Sequence, residues 1–500
     1  MTCFTRRGFL AASTAASAAL LLPARVRAAS DARRLVAATR TIEVQGRAAT
    51  VLGLMDEGGR LGLTLDPGER FRVDLTNDLA HETIIHWHGQ IPPNAQDGVP
   101  NTNPMLAPGE TRAYDFAARP GTFWMHSHIP AQEIGLLAAP LIVRSETDLA
   151  EDRQEVVLFL HDFSFKTPDE VLAEVKGGHA GGQGGGHGAA PAMGHGQMQG
   201  MQGMNQGQGM MGGMNHGMMG NMGAMGAMEM DLNDFDFDAY LANDRTLDDP
   251  EVIAVERAGR VRLRAINASS MTAYWLDLGT VIGRLVATDG DACHPYAASR
   301  FAIAPGQRLD IEIDLPEDGS ALPVLALREG ARERTGIILA PKGAEIHRIP
   351  GLSEADHPPA SMDLTQEAAL RALSPLPERP ADRAPMVMLG GTMSPYQWTI
   401  DGRLWGNHAP IPARSGERVE MMFHNMSMMA HPMHLHGHVF QVVGLGMSRI
   451  AGALRDTVQV PPMSMVTIAF DAGEVAPWML HCHHMGHLET GMMTELAVGA

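Results

Sequence analysis

The sequence predicts an all-β protein of three similar β-sandwich domains, and three observations carry that expectation. Composition is the first: 500 residues with 55 Gly and 32 Pro, 45% hydrophobic but 5% aromatic, suit a turn-rich β protein and neither a disordered chain nor a helical bundle. The second is a repeated turn. Gly68-Glu69-Arg70, Gly306-Gln307-Arg308 and Gly416-Glu417-Arg418 each open a run of alternating apolar residues: Phe71/Val73/Leu75, Leu309/Ile311/Ile313 and Val419/Met421/Phe423. Period-two alternation behind a turn marks a half-buried strand. The third is a longer repeat. Asn77 precedes His86-Trp87-His88-Gly89 by nine residues, Asn425 precedes His434-Leu435-His436-Gly437 by nine, and at the same offset from Asn267 stands Leu276-Asp277-Leu278-Gly279. The middle copy keeps the strand and loses the histidines, so it reads as a spacer.

In chain order, Thr5-Arg6-Arg7-Gly8-Phe9-Leu10 is a twin-arginine pattern. An Ala/Leu-rich stretch follows, with a cleavage site at Val26-Arg27-Ala28. The apolar stretch is too short to span a bilayer, so residues 1–28 are expected to be a cleaved signal read by the twin-arginine export machinery, with no membrane anchor. The destination is the periplasm, and a monomer is expected. Removing residues 1–28 takes four arginines and no acids, leaving 34 basic residues against 57 acidic and a net charge of −23 in place of −19. So acidic a body argues against nucleic acid and anionic membrane as partners.

Domain one is expected over 35–147, domain two over 148–349 and domain three over 386–500, with the Pro- and charge-rich stretch 350–385 as linker. Residues 177–230 hold 20 Gly, 13 Met and 4 His in 54 positions. No packed core forms from that composition, and it reads as a disordered insert in domain two. Cys3 leaves with the signal. Of the two that remain, Cys293 reads as a buried apolar residue, and if Cys482 holds metal there is no disulfide.

Residues 481–493 carry the chemistry: His-Cys-His-His-Met-Gly-His-Leu-Glu-Thr-Gly-Met-Met. Side chains alternate along a strand, so His481 and His483 face one way and Cys482 the other. Two metal centres can then sit on opposite sides of one strand. His487 and Met492 lie downstream and can return to the cysteine side. Thiolate, imidazole and a distant thioether are blue-copper ligands, short of one more imidazole. The pairs His86/His88, His126/His128, His434/His436 and His481/His483 place two imidazoles on one strand face, as chelation requires. Matched between two repeated domains, they point to a multi-histidine cluster. Zinc also accepts His and Cys, but it is redox-silent and gives no reason to wire a thiolate to such a cluster.

Four segments, His86–Gly89, His126–His128, His431–Gly437 and His481–Met493, resemble the copper-binding signatures of the multicopper oxidases. With the triple repeat, the likeness spans the mature chain apart from the insert. It implies three cupredoxin-like Greek-key β-sandwich domains and four copper ions. The type 1 ion would be held by His431, Cys482 and His487 with Met492 axial, and the type 2 ion by His86 and His434. One type 3 ion would take His88, His126 and His483, and its partner His128, His436 and His481. Electrons would pass from the type 1 ion through Cys482 to its flanking histidines, and dioxygen, the co-substrate, would be reduced to water. Asp97 stands where the family has an acid near the type 2 copper and is expected in the proton supply.

The family includes laccases, which oxidise phenols, and CueO- and CopA-type enzymes of copper tolerance, which oxidise Cu(I). Thioether sulfur prefers Cu(I), so the insert favours Cu(I) as substrate. Met193, Met198, Met201, Met204, Met210, Met211, Met214, Met218 and Met219 are expected to bind it, with Met429 near the type 1 motif. The alternatives are a laccase with small phenolic substrates and a copper-sequestering protein. There are three departures: the methionine-rich segment lies in the middle domain and not just before the last one, Ser427 replaces the cuprous oxidases' acid four residues before His431, and Leu488 replaces their acid after His487. The remaining histidines read as surface groups or groups behind the ligands.

Overall fold

The structure, a computed structural model, describes residues 32–177, 232–355 and 359–500. The expected signal at 1–28 and positions 178–230 of the expected insert, with the nine methionines named in it, lie outside the described residues. Three β-sandwiches follow one another along the chain, each built of two sheets. No helix among the described residues is long and apolar enough to cross a membrane.

The three sandwiches share one plan. In the first, Arg47–Asp56, Arg33–Val44, Phe71–Asn77 and Thr111–Phe116 lie in that order against Leu63–Leu65, Ala138–Val143, Gly121–Ser127 and Ile85–His88. Each sandwich has a sheet in which a parallel pair is followed by an antiparallel partner. These triplets are Arg33–Val44, Phe71–Asn77 and Thr111–Phe116; Gln154–Phe163, Arg260–Asn267 and Arg308–Asp314; and Met386–Met393, Arg418–Asn425 and Met465–Asp471. The alternation read in the sequence does the expected work. Phe71, Val73 and Leu75, Leu309, Ile311 and Ile313, and Val419, Met421 and Phe423 are all buried, each removing of order 1.5–3 kcal/mol of apolar exposure.

The repeated asparagines show why the triplication stayed legible. Asn77, Asn267 and Asn425 are fully buried at strand ends. Each Oδ1 accepts from the backbone N–H two residues on, and each Nδ2 donates to a carbonyl of the returning loop and to one of a segment about 30 residues further on. A buried amide left unpaired costs about 1–3 kcal/mol, so this bracket resists substitution and sets the loop that delivers the next strand. In the outer sandwiches that strand carries histidines; in the middle one it carries the buried Leu276 and Leu278.

The 350–385 stretch is more than a tether. It contains the helix Thr365–Ala369. Gln366 bonds the backbone of Ala302 twice, Glu367 pairs with Arg455, and Leu370 is fully buried.

Candidate copper centres between the outer sandwiches

Strand pairing sets the histidines side by side. In the first sandwich His86 lies opposite His126; in the third His434 lies opposite His481. The two arrays meet in a closed space where seven of the eight rings are at most 1% exposed and His128 is 6% exposed. His86 Nε2 is 3.5 Å from His434 Nε2. His481 Nε2 is 3.0 Å from His436 Nε2 and 3.4 Å from His128 Nε2. The rings of His88, His126 and His483 lie 5.0–5.6 Å apart, and His88 Nδ1, His126 Nε2 and His483 Nε2 are buried without a partner.

Unpartnered buried nitrogens are costly unless something takes their lone pairs. The opposite side of most rings is already committed. His86 Nδ1 donates to the Asp97 carbonyl at 2.8 Å, His434 Nδ1 to the Asp456 carbonyl at 2.9 Å and His481 Nδ1 to the Cys482 carbonyl at 2.9 Å. His436 Nδ1 donates to Asp97 Oδ2 at 2.9 Å. With each N–H held from behind, the lone pairs face one another, as metal-binding imidazoles require. Burial, and then mutual repulsion among the rings, holds His88, His128, His434, His436 and His483 well below the ordinary histidine range, and His481 is brought down to about 3. Neutral imidazole is the ligating form. The donor set fits copper.

On the other face of the same strand, His431 Nδ1 and His487 Nδ1 are 3.0 Å apart, and Cys482 Sγ is 3.8 Å from the first and 3.5 Å from the second. The two alternating faces of Pro477–Cys482 and the residue after it therefore serve two centres. Met492 is fully buried beside this trio: its N–H donates to the His487 carbonyl and its carbonyl accepts from the Cys482 N–H. Burial pushes the Cys482 thiol well up, so a metal there must displace its proton. Met429 is buried, its carbonyl engaged by Asn425 Nδ2 and Ser427 Oγ.

Asp97 is fully buried among the cluster ligands, with Oδ1 3.4 Å from His86 Nδ1. Next to it, Gly98 has φ +81°, and a Cβ there would meet the Ile85 carbonyl oxygen at 1.8 Å.

Five further residues complete the site, and sequence reasoning assigned none of them to it, reading Gly306 and Arg308 only as a strand-opening turn. Asp234 Oδ2 accepts from His487 Nε2 at 3.2 Å and from the Tyr396 hydroxyl. Burial alone would raise this carboxyl, but the His487 bond, the neighbouring His484 and Tyr396 hold it well below the usual range. Glu133 Oε2 is 2.7 Å from His126 Nδ1 and Oε1 is 3.8 Å from His483 Nδ1. It comes from the short helix Pro130–Ile134 and lines, with Leu488, a small cavity beside His126, His128 and His481. A carboxylate thus stands near the cluster although Leu488 supplies none. Asp456 Oδ1 is 3.0 Å from His88 Nε2 and pairs with the buried Arg308. At Gly306, φ +81°, a Cβ would meet His483 Cδ2 at 2.8 Å and His88 Cε1 at 3.3 Å. Asp234, Gly306 and Arg308 belong to the middle sandwich, so it does more than space the outer two: it walls the cluster and braces both centres.

Such a donor set, joined through one strand and carried on β-sandwiches, defines a copper redox protein. Residues 39–148 and 378–500 each match a family model described as multicopper oxidase. The chain is 30% identical to multicopper oxidase MmcO of Mycobacterium tuberculosis over 99% of this chain and 96% of that one. It is 24% identical to copper resistance protein A of Escherichia coli over 86% of each. Among solved structures, Fet3p, a multicopper oxidase that functions in iron import, superposes with TM-score 0.71 at 17% identity, over 93% of this chain and 90% of that one; that likeness is one of fold. The chain belongs to the multicopper oxidase family and is an oxidoreductase, with copper as the family's cofactor.

Proposed function

We propose that the protein is a periplasmic Cu(I) oxidase, exported as a folded monomer by the twin-arginine route, that couples oxidation of its substrate to reduction of dioxygen to water. His431, Cys482 and His487, together with Met492, would hold a mononuclear copper. His86 and His434 would hold a second ion, His88, His126 and His483 a third, and His128, His436 and His481 a fourth. Bound copper supplies reversible one-electron chemistry and a seat for dioxygen. The protein's own part is orientation: Asp97, Asp456 and backbone carbonyls fix the ring tautomers, and Cys482 sits between two cluster histidines in consecutive positions. That juxtaposition is the observation that carries the reading. Asp97 stands within reach of the protons that water formation consumes.

Cu(I) as substrate draws on three supports. Residues 177–230 are rich in thioethers, soft ligands that prefer Cu(I). Both flanks of that stretch are fastened beside His487, through the Lys176–Glu489 ion pair at 2.8 Å and through Asp234. The carboxylate of Asp234 also favours a cationic electron donor over a neutral one at that ring. The test is oxygen uptake by the copper-loaded full chain and by a chain lacking residues 178–230, with Cu(I) and with a phenol as donors. Selective loss of Cu(I) turnover is expected. Unchanged rates on both donors would make the enzyme a laccase. Copper bound well beyond four ions with negligible turnover would make it a store, and reconstituted protein without blue absorption would overturn the whole assignment.

A further inference from the structure

The outward face of the larger sheet in the third sandwich bears a row of soft donors that the copper core does not use. Met386–Met393, Arg418–Asn425 and Met465–Asp471 run side by side there. Their register puts Met388 opposite His424 and His424 opposite Met465; two residues along, Met386 lies opposite Met422. Alternation buries Val387, Leu389, Met421, Phe423 and Val466 and turns the row outward. Met386 is 56% exposed, Met388 is 43% exposed, and Met422, His424 and Met465 are half-buried.

The solvent side of a sheet whose other face packs on the core is ordinarily polar, and thioethers there gain little from burial. His424 and Met465, opposed on antiparallel strands, stand about 4.5–5.5 Å apart at Cβ, and Met388 is on the neighbouring strand about 4.8 Å away, close enough for flexible thioethers and an imidazole to close on one ion. The ring of His424 has no hydrogen bond, ion pair or ring contact among the described residues. Of the nearby acids, Glu420 is taken by Arg449 at 2.7 Å, and Asp401 Oδ1 accepts from the Met388 N–H at 2.8 Å.

We propose that Met388, His424 and Met465, flanked by Met386 and Met422, form a surface binding site for a soft monovalent metal ion, Cu(I). The same strand runs on to Ser427, whose Oγ lies 2.8 Å from His431 Nε2, so the row and the mononuclear centre are joined by one short segment. Binding at this row does not depend on the oxidase reading; its use as a docking place for substrate does.

The test uses Ag(I), a redox-inert stand-in for Cu(I), on the copper-loaded full chain. Crystals soaked in Ag(I) are expected to show an anomalous peak bounded by Met388 Sδ, Met465 Sδ and the His424 ring. The Met388→Leu/Met465→Leu variant, close in volume, is expected to bind one Ag(I) fewer than the parent with blue absorption unchanged. A bare sheet face in the soaked crystals, or equal stoichiometry in parent and variant, would overturn the site. For docking, the variant's KM for Cu(I) is expected to rise by about tenfold with phenol turnover unchanged; an unaltered KM would overturn the docking role. Loss of oxygen uptake with every donor would instead count against the oxidase reading, and the silver peak would be untouched by it.

Discussion

Arg308 and Asp456 form an ion pair at 2.7 Å with both side chains almost wholly buried, and the same Asp456 oxygen lies 3.0 Å from His88 Nε2. A cation from a sandwich that carries no metal ligand therefore fixes an anion that fixes a ligand. Arg308 also donates to the carbonyls of Gly306, Asp289 and Thr122, so it ties the middle sandwich to the first.

Breaking a buried pair leaves one charge without compensation, at about 3–5 kcal/mol. Arg308→Met is accordingly expected to lower unfolding stability by that order, and so is Asp456→Asn, which leaves the buried Arg308 guanidinium facing an amide. Denaturant titration of both variants checks the cost. Metal analysis checks the hold on His88: Arg308→Met should load fewer cluster coppers while the blue absorption of the mononuclear site survives.

Gly306→Ala tests the wall of the cluster. The residue sits at φ +81° and its new methyl would press on His483 and His88; left-handed backbone alone costs an alanine about 1–2 kcal/mol. The expected outcome is a loss of cluster copper and of oxygen uptake with blue absorption retained. An alanine variant with full copper and full turnover would show that the wall is not needed.

Asp234→Asn keeps the shape beside His487 and removes the charge. A group hydrogen-bonded to a metal-ligating histidine is typically worth ten- to a hundredfold in affinity or activity. Turnover of Cu(I) should fall within about that range, the potential of the blue centre should rise, and phenol turnover should change less than Cu(I) turnover. Potentiometry and oxygen uptake on the same preparation separate these effects.

Glu329 gives a pH test away from the metals. Burial, offset in part by the Met362 N–H, raises its carboxyl from 4.5 to about 7. The folded state thus holds a proton that the unfolded state has released. The resulting stability is complete below about pH 4.5 and is lost as pH climbs through about 7. Glu329→Gln mimics the protonated form, so its advantage over the parent should grow between pH 5 and pH 8, by up to about 3 kcal/mol. Parallel denaturant titrations at the two pH values measure it; a constant difference would refute the assignment.

The sandwiches and the eleven imidazole and thiol groups were legible because their spacing is local: period two on strands, nine residues from a bracketing asparagine. What supports them was not. Asp234 is 253 residues from His487 and Asp456 is 368 from His88, and no periodicity links partners on different sandwiches. Glu133 was nearer to hand, seven residues past His126, but only a single turn of helix folds it back. Reading the middle sandwich as a spacer came from its leucines at the histidine positions. Its contribution comes instead from the Gly306–Arg308 turn, which the sequence shows only as one of three strand openings.

Cys482 and its two neighbours lie in consecutive positions, so the path between the centres is measured in covalent bonds and not in the fit of one sandwich against another. Motions that loosen the joints, whether from heat, mutation or a bound partner, can empty the cluster or misalign its rings. They leave the length of that wire unchanged.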